Sequence, residues 1–468
     1  MLTQRQMMSE VSDTSDRFNQ ELLTFRTTEP VLDHVLDICK ALEVIEQIRF
    51  VGAEIVDDES DIEPERKQVD IEASRVLLVK LKFQVKYNGE ITDVERELLV
   101  PKLVDDHFFI LNGVRYYPIY QLVDRGVFVT AKMYSLKTLL MPIRFKWKKI
   151  AVDDENGSAM QPVEFRLHLF KQSLNPLLYY LAKMGLEETV AYFGHRLSDD
   201  DVCVVEADPS DVEETMDEMI WFRLKGNNWV MANRSTFTTA HDVDFLWMLV
   251  QILREVPDLD RADDPSYWLT ALGSMFTKSA NTILDKANKV LFSLERILDE
   301  QTKRNMSEIP TADKEDTYAI LRWMLRTFED HRYMDNMSLE NKRLQIWQFS
   351  QPLLRQFSAS TYRILNTKNL TMKGLVSVFN IRRRSIVKKM LTSEQVRYSG
   401  HVNVMDVFGV ALKVTCRAGG GDSDVSDRFR GVHPSYIGRL SLIASSQSDP
   451  GLTTTMCPFA KLVDGRFV

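Results

Sequence analysis

The sequence predicts an α+β fold assembled from several modules, and three observations carry that reading. Its 468 residues exceed one domain of roughly 100–200 residues. Strict apolar/polar alternation, the two-residue period of a half-buried strand, marks the first third. Apolar residues spaced by three and four, the period of a helix face, dominate from Ala240 to about Asp330. Apolar residues make up 44% and charged residues 27%, the composition of a chain that buries ordinary cores.

In chain order, Glu29 to Ile48 places Val31, Leu32, Val35, Leu36, Ile38, Leu42 and Ile45 on one helical stripe. Val79, Leu81, Phe83 and Val85 then alternate with Lys80, Lys82, Gln84 and Lys86, a half-buried strand. Asn88-Gly89 supplies a tight hairpin turn, and Glu97 to Val100 falls on the returning strand. Phe108 to Leu111 and Val127 to Thr130 read as further strands. Arg144, Lys146, Lys148 and Lys149 interleave with Phe145 and Trp147 like an exposed strand, whose cations either meet nucleic acid or simply face water. The region from about Met141 to Gly226 is mixed, with acidic turns at Asp153 to Gly157 and Ser198 to Asp201. Phe245, Leu246, Leu249, Ile252 and Leu253 form one helical stripe, and Ile283, Ala287, Val290, Leu291 and Leu294 another. Asp335 to Lys389 reads mainly as helix. After Ser399 short apolar runs are cut by Gly, Asp and Ser, an irregular segment of the kind a partner supports.

Several function classes find no footing. There is no phosphate-cradling Gly-x-x-x-x-Gly-Lys, no dinucleotide Gly-x-Gly-x-x-Gly and no nucleophile elbow. Cys39, Cys203, Cys416 and Cys457 are scattered, without the spacing of a zinc site, and read as buried thiols. Asp422, Asp424 and Asp427 lack the ligand order of a calcium loop. No run of about 18 apolar residues is present, and Met1 to Gln20 has no signal-type apolar core, so the protein is expected to stay where it is made.

The net charge of −8 hides an asymmetry. From Asn341 to Val468 the chain has 19 Lys+Arg against 7 Asp+Glu, a net +12 that leaves −20 on the preceding residues. A basic end on an acidic body suits phosphate attraction, as it also suits solvated faces. Within it, Arg382 and Arg383 belong to a cluster with Arg384, Lys388 and Lys389 on an expected helix. Farther on, Ala418-Gly419-Gly420-Gly421 precedes Arg428, Arg430 and then Gly431-Val432-His433-Pro434-Ser435-Tyr436-Ile437-Gly438-Arg439. Glycines let backbone approach a base pair or phosphate closely, and arginines grip phosphates with two parallel bonds. A solvated basic turn has the same composition.

Gly419-Gly420-Gly421, His433-Pro434, Gly438-Arg439, Ile443 and Gly451-Leu452 resemble the fork region of the β subunit of multisubunit DNA-dependent RNA polymerase. Two more segments resemble the same subunit in the same order. One runs from Asp105 to Phe128, with Phe109-Ile110-Leu111-Asn112-Gly113, Gln121-Leu122 and Arg125-Gly126-Val127-Phe128. The other runs from Asp335 to Asn366, with Leu339, Asn341-Lys342-Arg343, Gln348 and Arg363. Val404-Met405-Asp406 resembles the lining of the rifampicin pocket. The paired arginines of that region are reduced here to Lys413 and Arg417, and Ala444 to Ser448 replaces an acidic run of the family, which implies weak or no rifampicin binding.

The resemblance implies the N-terminal half of a β subunit. Residues 1–130 and 335–398 would form a protrusion-like domain, 131–334 a lobe-like domain and 399–468 the fork-like segment. It implies nucleic-acid contacts at Arg382, Arg383, Lys413, Arg417, Arg428, Arg430 and Arg439. Gly419, Gly420, Gly421, His433, Pro434 and Gly438 would shape the active-centre wall. The reaction implied is nucleotidyl transfer from ribonucleoside triphosphates along a DNA template onto an RNA transcript, with Mg²⁺ held by a partner. Because the chain stops at Val468, the expected partners are a C-terminal β fragment, β′ fragments and a promoter-recognition factor, with no membrane. Leu440, Leu442, Ile443, Leu452 and Phe459 would pack on the C-terminal fragment. Such a split points to a giant bacteriophage, and hence to the cytoplasm of a bacterial host, with packaging in the virion as a second possibility. The alternative function is a non-catalytic nucleic-acid-binding or virion protein that retains a polymerase-like domain.

Overall fold

A computed structural model describes residues 30–56, 74–104, 108–153, 159–208, 212, 215, 217–255, 261–306, 316–367, 370–393, 396–398, 409–416, 431–444, 453–457, 460, 462–463 and 466–467. Helix at 40% and strand at 32% are both abundant, so the fold is α+β. The chain divides into two units, Met1–Arg125 with Asp335–Val468, and Gly126–Met334.

The first unit opens with helix α1 (Pro30–Ala41), whose Val31, Val35 and Ile38 are buried at the spacing the sequence shows. A three-stranded antiparallel sheet follows: β1 (Ile48–Val56), β2 (Val76–Tyr87) and β3 (Glu90–Pro101). Its β2–β3 hairpin turns at Asn88-Gly89, as expected. Leu81, Phe83 and Val85 point inward. On the outer face Lys80 and Lys82 of β2 meet carboxylates of the neighbouring strands. Lys80 lies opposite Glu54 and Glu97, Lys82 lies opposite Glu95, and Lys82 Nζ sits 2.8 Å from Glu54 Oε2. The strands β4 (Leu103–Val104), β5 (Phe108–Leu111), β6 (Val114–Pro118) and β7 (Tyr120–Asp124) end this first passage.

The second unit is built on a five-stranded antiparallel sheet. Its strands are β8 (Val127–Val129), β9 (Met133–Leu136), β10 (Ile143–Lys149), β13 (Val163–Leu169) and β14 (Gln172–Leu174), in the order β14-β13-β10-β9-β8. A small hairpin, β11 (Val152–Asp153) and β12 (Ala159–Met160), links β10 to β13. The inner face presents Tyr134 and Phe165 to Phe328, with ring centroids 5.0 Å apart for Phe165 and Phe328, and Phe145 packs against Tyr134 and Phe165. Helices α2 (Leu177–Phe193) and α3 (Ala240–Glu255) flank a second sheet of β15 (Val202–Glu206), β16 (Met219–Arg223) and β17 (Asn228–Asn233) in sequence. Helices α4 (Pro265–Ser274), α5 (Ile283–Glu295), α6 (Glu300–Asn305), α7 (Thr317–Arg326) and α8 (Phe328–Arg332) complete it, as the helical stripes predict. Gly185 breaks α2 at φ 84°, and a Cβ there would lie 2.8 Å from the Asp263 carbonyl oxygen, so only glycine fits.

The chain then returns to the first unit. Strand β18 (Lys342–Gln345) corrects the expectation of helix in that stretch. It is followed by α9 (Gln351–Asn366), α10 (Met372–Val376), α11 (Ser385–Leu391) and β19 (Val396–Tyr398). Among the described residues the tail contributes β20 (Lys413–Thr415), β21 (Leu440–Ser441), β22 (Thr453–Met456), β23 (Leu462–Val463) and β24 (Arg466–Phe467). These short strands depend on older ones: the five-stranded sheet runs β18-β7-β20-β22-β21. Strand β7 pairs antiparallel with β18, Leu122 opposite Leu344, and parallel with β20, Tyr120 opposite Val414.

Candidate nucleic-acid interface

The β18-β7-β20-β22-β21 sheet gathers segments that lie far apart in the sequence. Gln121-Leu122 sits on β7, Lys342-Arg343 on β18, and the His433–Arg439 turn leads into β21. Gln348, 1% exposed, donates from Nε2 to the Ile119 carbonyl at 2.9 Å just before β7. Tyr120, Leu122, Leu344, Val414, Tyr436 and Leu440 bury against one another, each large apolar side chain contributing roughly 1.5–3 kcal/mol. The order of strands is thus held by a shared core rather than by local propensity.

His433 pins the turn to the return segment. Pro434 opens a short 3₁₀ turn, Pro434–Tyr436, where its fixed φ fits and its missing N–H costs nothing. The Ser435 backbone N–H donates to His433 Nδ1 at 3.2 Å, which assigns the ring proton to Nε2. That Nε2–H donates to Asp335 Oδ2 at 3.0 Å, across 98 positions of sequence. Ser435 Oγ in turn accepts the Leu339 N–H at 2.9 Å. Gly438 sits at φ 77°, the left-handed conformation that lets the chain turn into β21. Tyr436 is buried beside Cys416, and burial pushes both groups up, the Cys416 thiol to about 11. Both therefore stay neutral. The expectation of buried thiols holds for Cys39 and Cys203, whereas Cys416 and Cys457 are half-buried; all four are free.

The remaining cations of the expected interface separate into groups. Arg439 Nη1 lies 3.9 Å from Glu340 Oε1 and donates to the Ser435 carbonyl at 3.5 Å. Lys413 is half-buried on β20, opposite Thr455. Arg382 and Arg383 precede α11 rather than lying on it. Arg382 is exposed, whereas the Arg383 carbonyl accepts the Leu99 N–H at 2.9 Å and its Nε lies 3.5 Å from Glu97 Oε2. The structure thus brings Lys413 and Arg439 to one sheet and ties Arg383 to β3. Arg417, Gly419, Gly420, Gly421, Arg428 and Arg430 lie outside the described residues, as do the rifampicin-pocket segment and Asp422, Asp424 and Asp427.

One expectation is corrected. Leu440 does not wait for another polypeptide; it is 3% exposed in its own chain's core. The reason is that β22 folds back across β21 and covers it, Leu440 opposite Met456. Leu442 and Ile443 do stand in solvent, Ile443 at 99% exposure. Leu452 and Phe459 lie outside the described residues. Sequence reasoning missed Asp335 as the partner of His433, because nothing local marks a contact between residues so far apart.

A model of the non-virion RNA polymerase subunit family matches residues 3–466. The chain belongs to this family. It is therefore an RNA polymerase subunit, part of a nucleotidyltransferase that it forms with other subunits. The family's description places it in the host cell during infection and overturns the second possibility, packaging in the virion. No curated protein matches the chain. No helix of the described residues is long and apolar enough to cross a membrane. Among the described residues no group of three or more His, Cys, Asp and Glu is arranged to hold a metal ion.

Proposed function

We propose that this polymerase subunit is the N-terminal part of a β-type subunit in a multisubunit, DNA-directed RNA polymerase of phage origin. Gly126–Met334 corresponds to the lobe-like insertion, and the first unit to the protrusion with the fork-like tail. The tail shapes the wall of the active centre beside separated DNA strands and the start of the RNA–DNA hybrid. His433, Pro434 and Gly438 fix the wall's backbone, and Arg439 and Lys413 face the nucleic acid from it, with Arg417, Arg428 and Arg430 alongside. Arg382 and Arg383 add contacts to the nucleic-acid backbone. Mg²⁺ and the carboxylates that hold it belong to a partner, a β′ fragment, and a C-terminal β fragment completes the wall. A promoter-recognition factor directs the enzyme to phage genes.

The observation that carries this reading is the convergence on one sheet of strands from the three separated β-like regions, 120–124 from the first, 342–345 from the second, and 413–415, 440–441 and 453–456 from the tail. A resemblance spread by chance along the sequence has no reason to meet in space. The test is to purify the complex from infected cells through a tag on this chain. Several large subunits and DNA-templated RNA synthesis should be recovered together. A chain recovered alone, or with subunits that synthesise RNA equally well after it is stripped away, rules the reading out.

A further inference from the structure

Asn341 bonds to both first-unit residues at which the chain passes to and from the second unit. The chain leaves the first unit after Arg125 and re-enters it at Asp335. The Asn341 carbonyl accepts the Arg125 N–H at 3.2 Å, and its side-chain Nδ2 donates to the Asp335 carbonyl at 2.8 Å. One residue on, the buried Lys342 pairs with Asp124 at the end of β7. Asn341 therefore closes the loop 335–341 on itself and fastens it to the end of β7.

That loop is the seat of the His433–Arg439 turn. Asp335 Oδ2 accepts from His433 Nε2 at 3.0 Å, the Leu339 N–H donates to Ser435 Oγ at 2.9 Å, and Glu340 Oε1 lies 3.9 Å from Arg439 Nη1. These contacts run from the first residue of the turn to the last, so the placement of the turn follows that of the loop. The Asp335 carboxylate is fully engaged, because its Oδ1 accepts the Met337 N–H at 2.9 Å. Its carbonyl takes the Ser338 N–H at 3.2 Å beside the Asn341 amide. Fixing that carbonyl fixes the direction of the carboxylate, and with it the ring of His433. A working site must be held to within about 0.5 Å by neighbours that are themselves locked in place. We propose that Asn341 is a positioning residue for the active-centre wall, acting through Asp335 and His433 on the turn without itself meeting nucleic acid or nucleotide. This rests on the reading of that turn as part of the wall.

Three variants of the purified polymerase test it. Asn341→Ala removes the amide donor. Asn341→Asp, of the same size, sets a carboxylate oxygen against the Asp335 carbonyl. Asp335→Asn turns an amide N–H toward one of the two donors that the carboxylate now accepts. All three should speed hydrogen exchange at the Leu339 and Ser435 backbone N–H groups. The maximal rate of RNA extension should fall by about tenfold, less than the ~100-fold that a 1 Å misplacement can cost. KM for ribonucleoside triphosphates should stay unchanged, since no ground-state contact to them is lost. Val79→Ala empties a fully buried site of the β1–β3 sheet and should lower stability without lowering that rate. A maximal rate that holds in the Asn341 variants overturns the proposal, whether or not exchange quickens. So does an equal fall in Val79→Ala, which would make the effect one of stability. RNA synthesis that persists after this chain is removed would instead sink the wall itself, whereas a polymerase that needs the chain yet ignores Asn341 sinks only this inference.

Discussion

Two strands of alternating cations, β2 in the first unit and β10 in the second, meet opposite surroundings. In the first, Lys82 is answered by Glu54, Lys342 by Asp124 and Arg383 by Glu97. Its tail, which reads as an open edge, buries Tyr436, Leu440 and Met456 in a core shared with Tyr120, Leu122 and Leu344 of β7 and β18. In the second, β10, with the same alternation as β2, sets Lys146 against Arg166, and Glu164 opposite Lys148 is engaged by Arg166, so that among the described residues Arg144 and Lys148 form no ion pair. Alternating cations therefore say little by themselves. What the neighbouring strand places opposite them decides whether they are paired across the sheet or left facing solvent.

The sharpest way to break this contrast lies in the tail. If the first unit is self-sufficient, Leu440→Ala should destabilise the chain alone by about 2–5 kcal/mol, the range for an emptied core site. Ile443→Ala, three positions on and fully exposed, should stay within about 0.5 kcal/mol and weaken only assembly with other subunits. Denaturant unfolding of both variants checks this; equal, small effects would mean that Leu440 is not part of an internal core.

The next largest effect belongs to a buried acid in the second unit. Burial pushes the Asp244 carboxyl up to about 7, although the Val163 N–H donates to it at 2.6 Å. The folded state thus holds a proton that the unfolded chain releases near pH 4, and stability should fall as pH rises from about 4 to about 7. At 1.36 kcal/mol per pH unit the loss is capped at about 4 kcal/mol. Asp244→Asn should flatten that decline while leaving stability near pH 4 little changed, as chemical denaturation across pH would show.

The smallest effect is the most diagnostic of the contrast. Lys146→Gln should leave the melting temperature unchanged or slightly higher, because an opposed like-charge pair costs about 0.2–1 kcal/mol. Lys82→Gln should lower it, because Glu54 loses its partner. A drop in both would put the two strands in the same class.

Legibility followed locality. The β2–β3 hairpin was visible because alternation and an Asn-Gly turn lie within a few residues. The helices α3 and α5 were visible for the same reason, their buried Phe245, Leu249, Val290 and Leu294 repeating at helical spacing. Lys342–Gln345 sits in a stretch with helical spacing and Lys-Arg-Leu-Gln has no strand signal of its own; it becomes a strand because β7 offers an edge to pair with. The cations of β10 were in view, but Arg166 and His168 were not matched to them, since the register is set by the hairpin that joins the strands. The Asp335–His433 bond, which fixes the candidate wall, had no local signal at all. Much of the glycine-arginine stretch that resembles the fork region falls outside the described residues.

The claim that the His433–Arg439 turn borders the transcribing centre can be tested with a photo-crosslinking residue at Ile437, which is 71% exposed in that turn. In the purified enzyme stalled on a DNA template, illumination should join this chain to template DNA or nascent RNA, and the adduct should vanish when the nucleic acids are released. Crosslinks confined to protein, unchanged by the presence of template and transcript, would place the turn away from the nucleic acid and remove the basis for a β-type role.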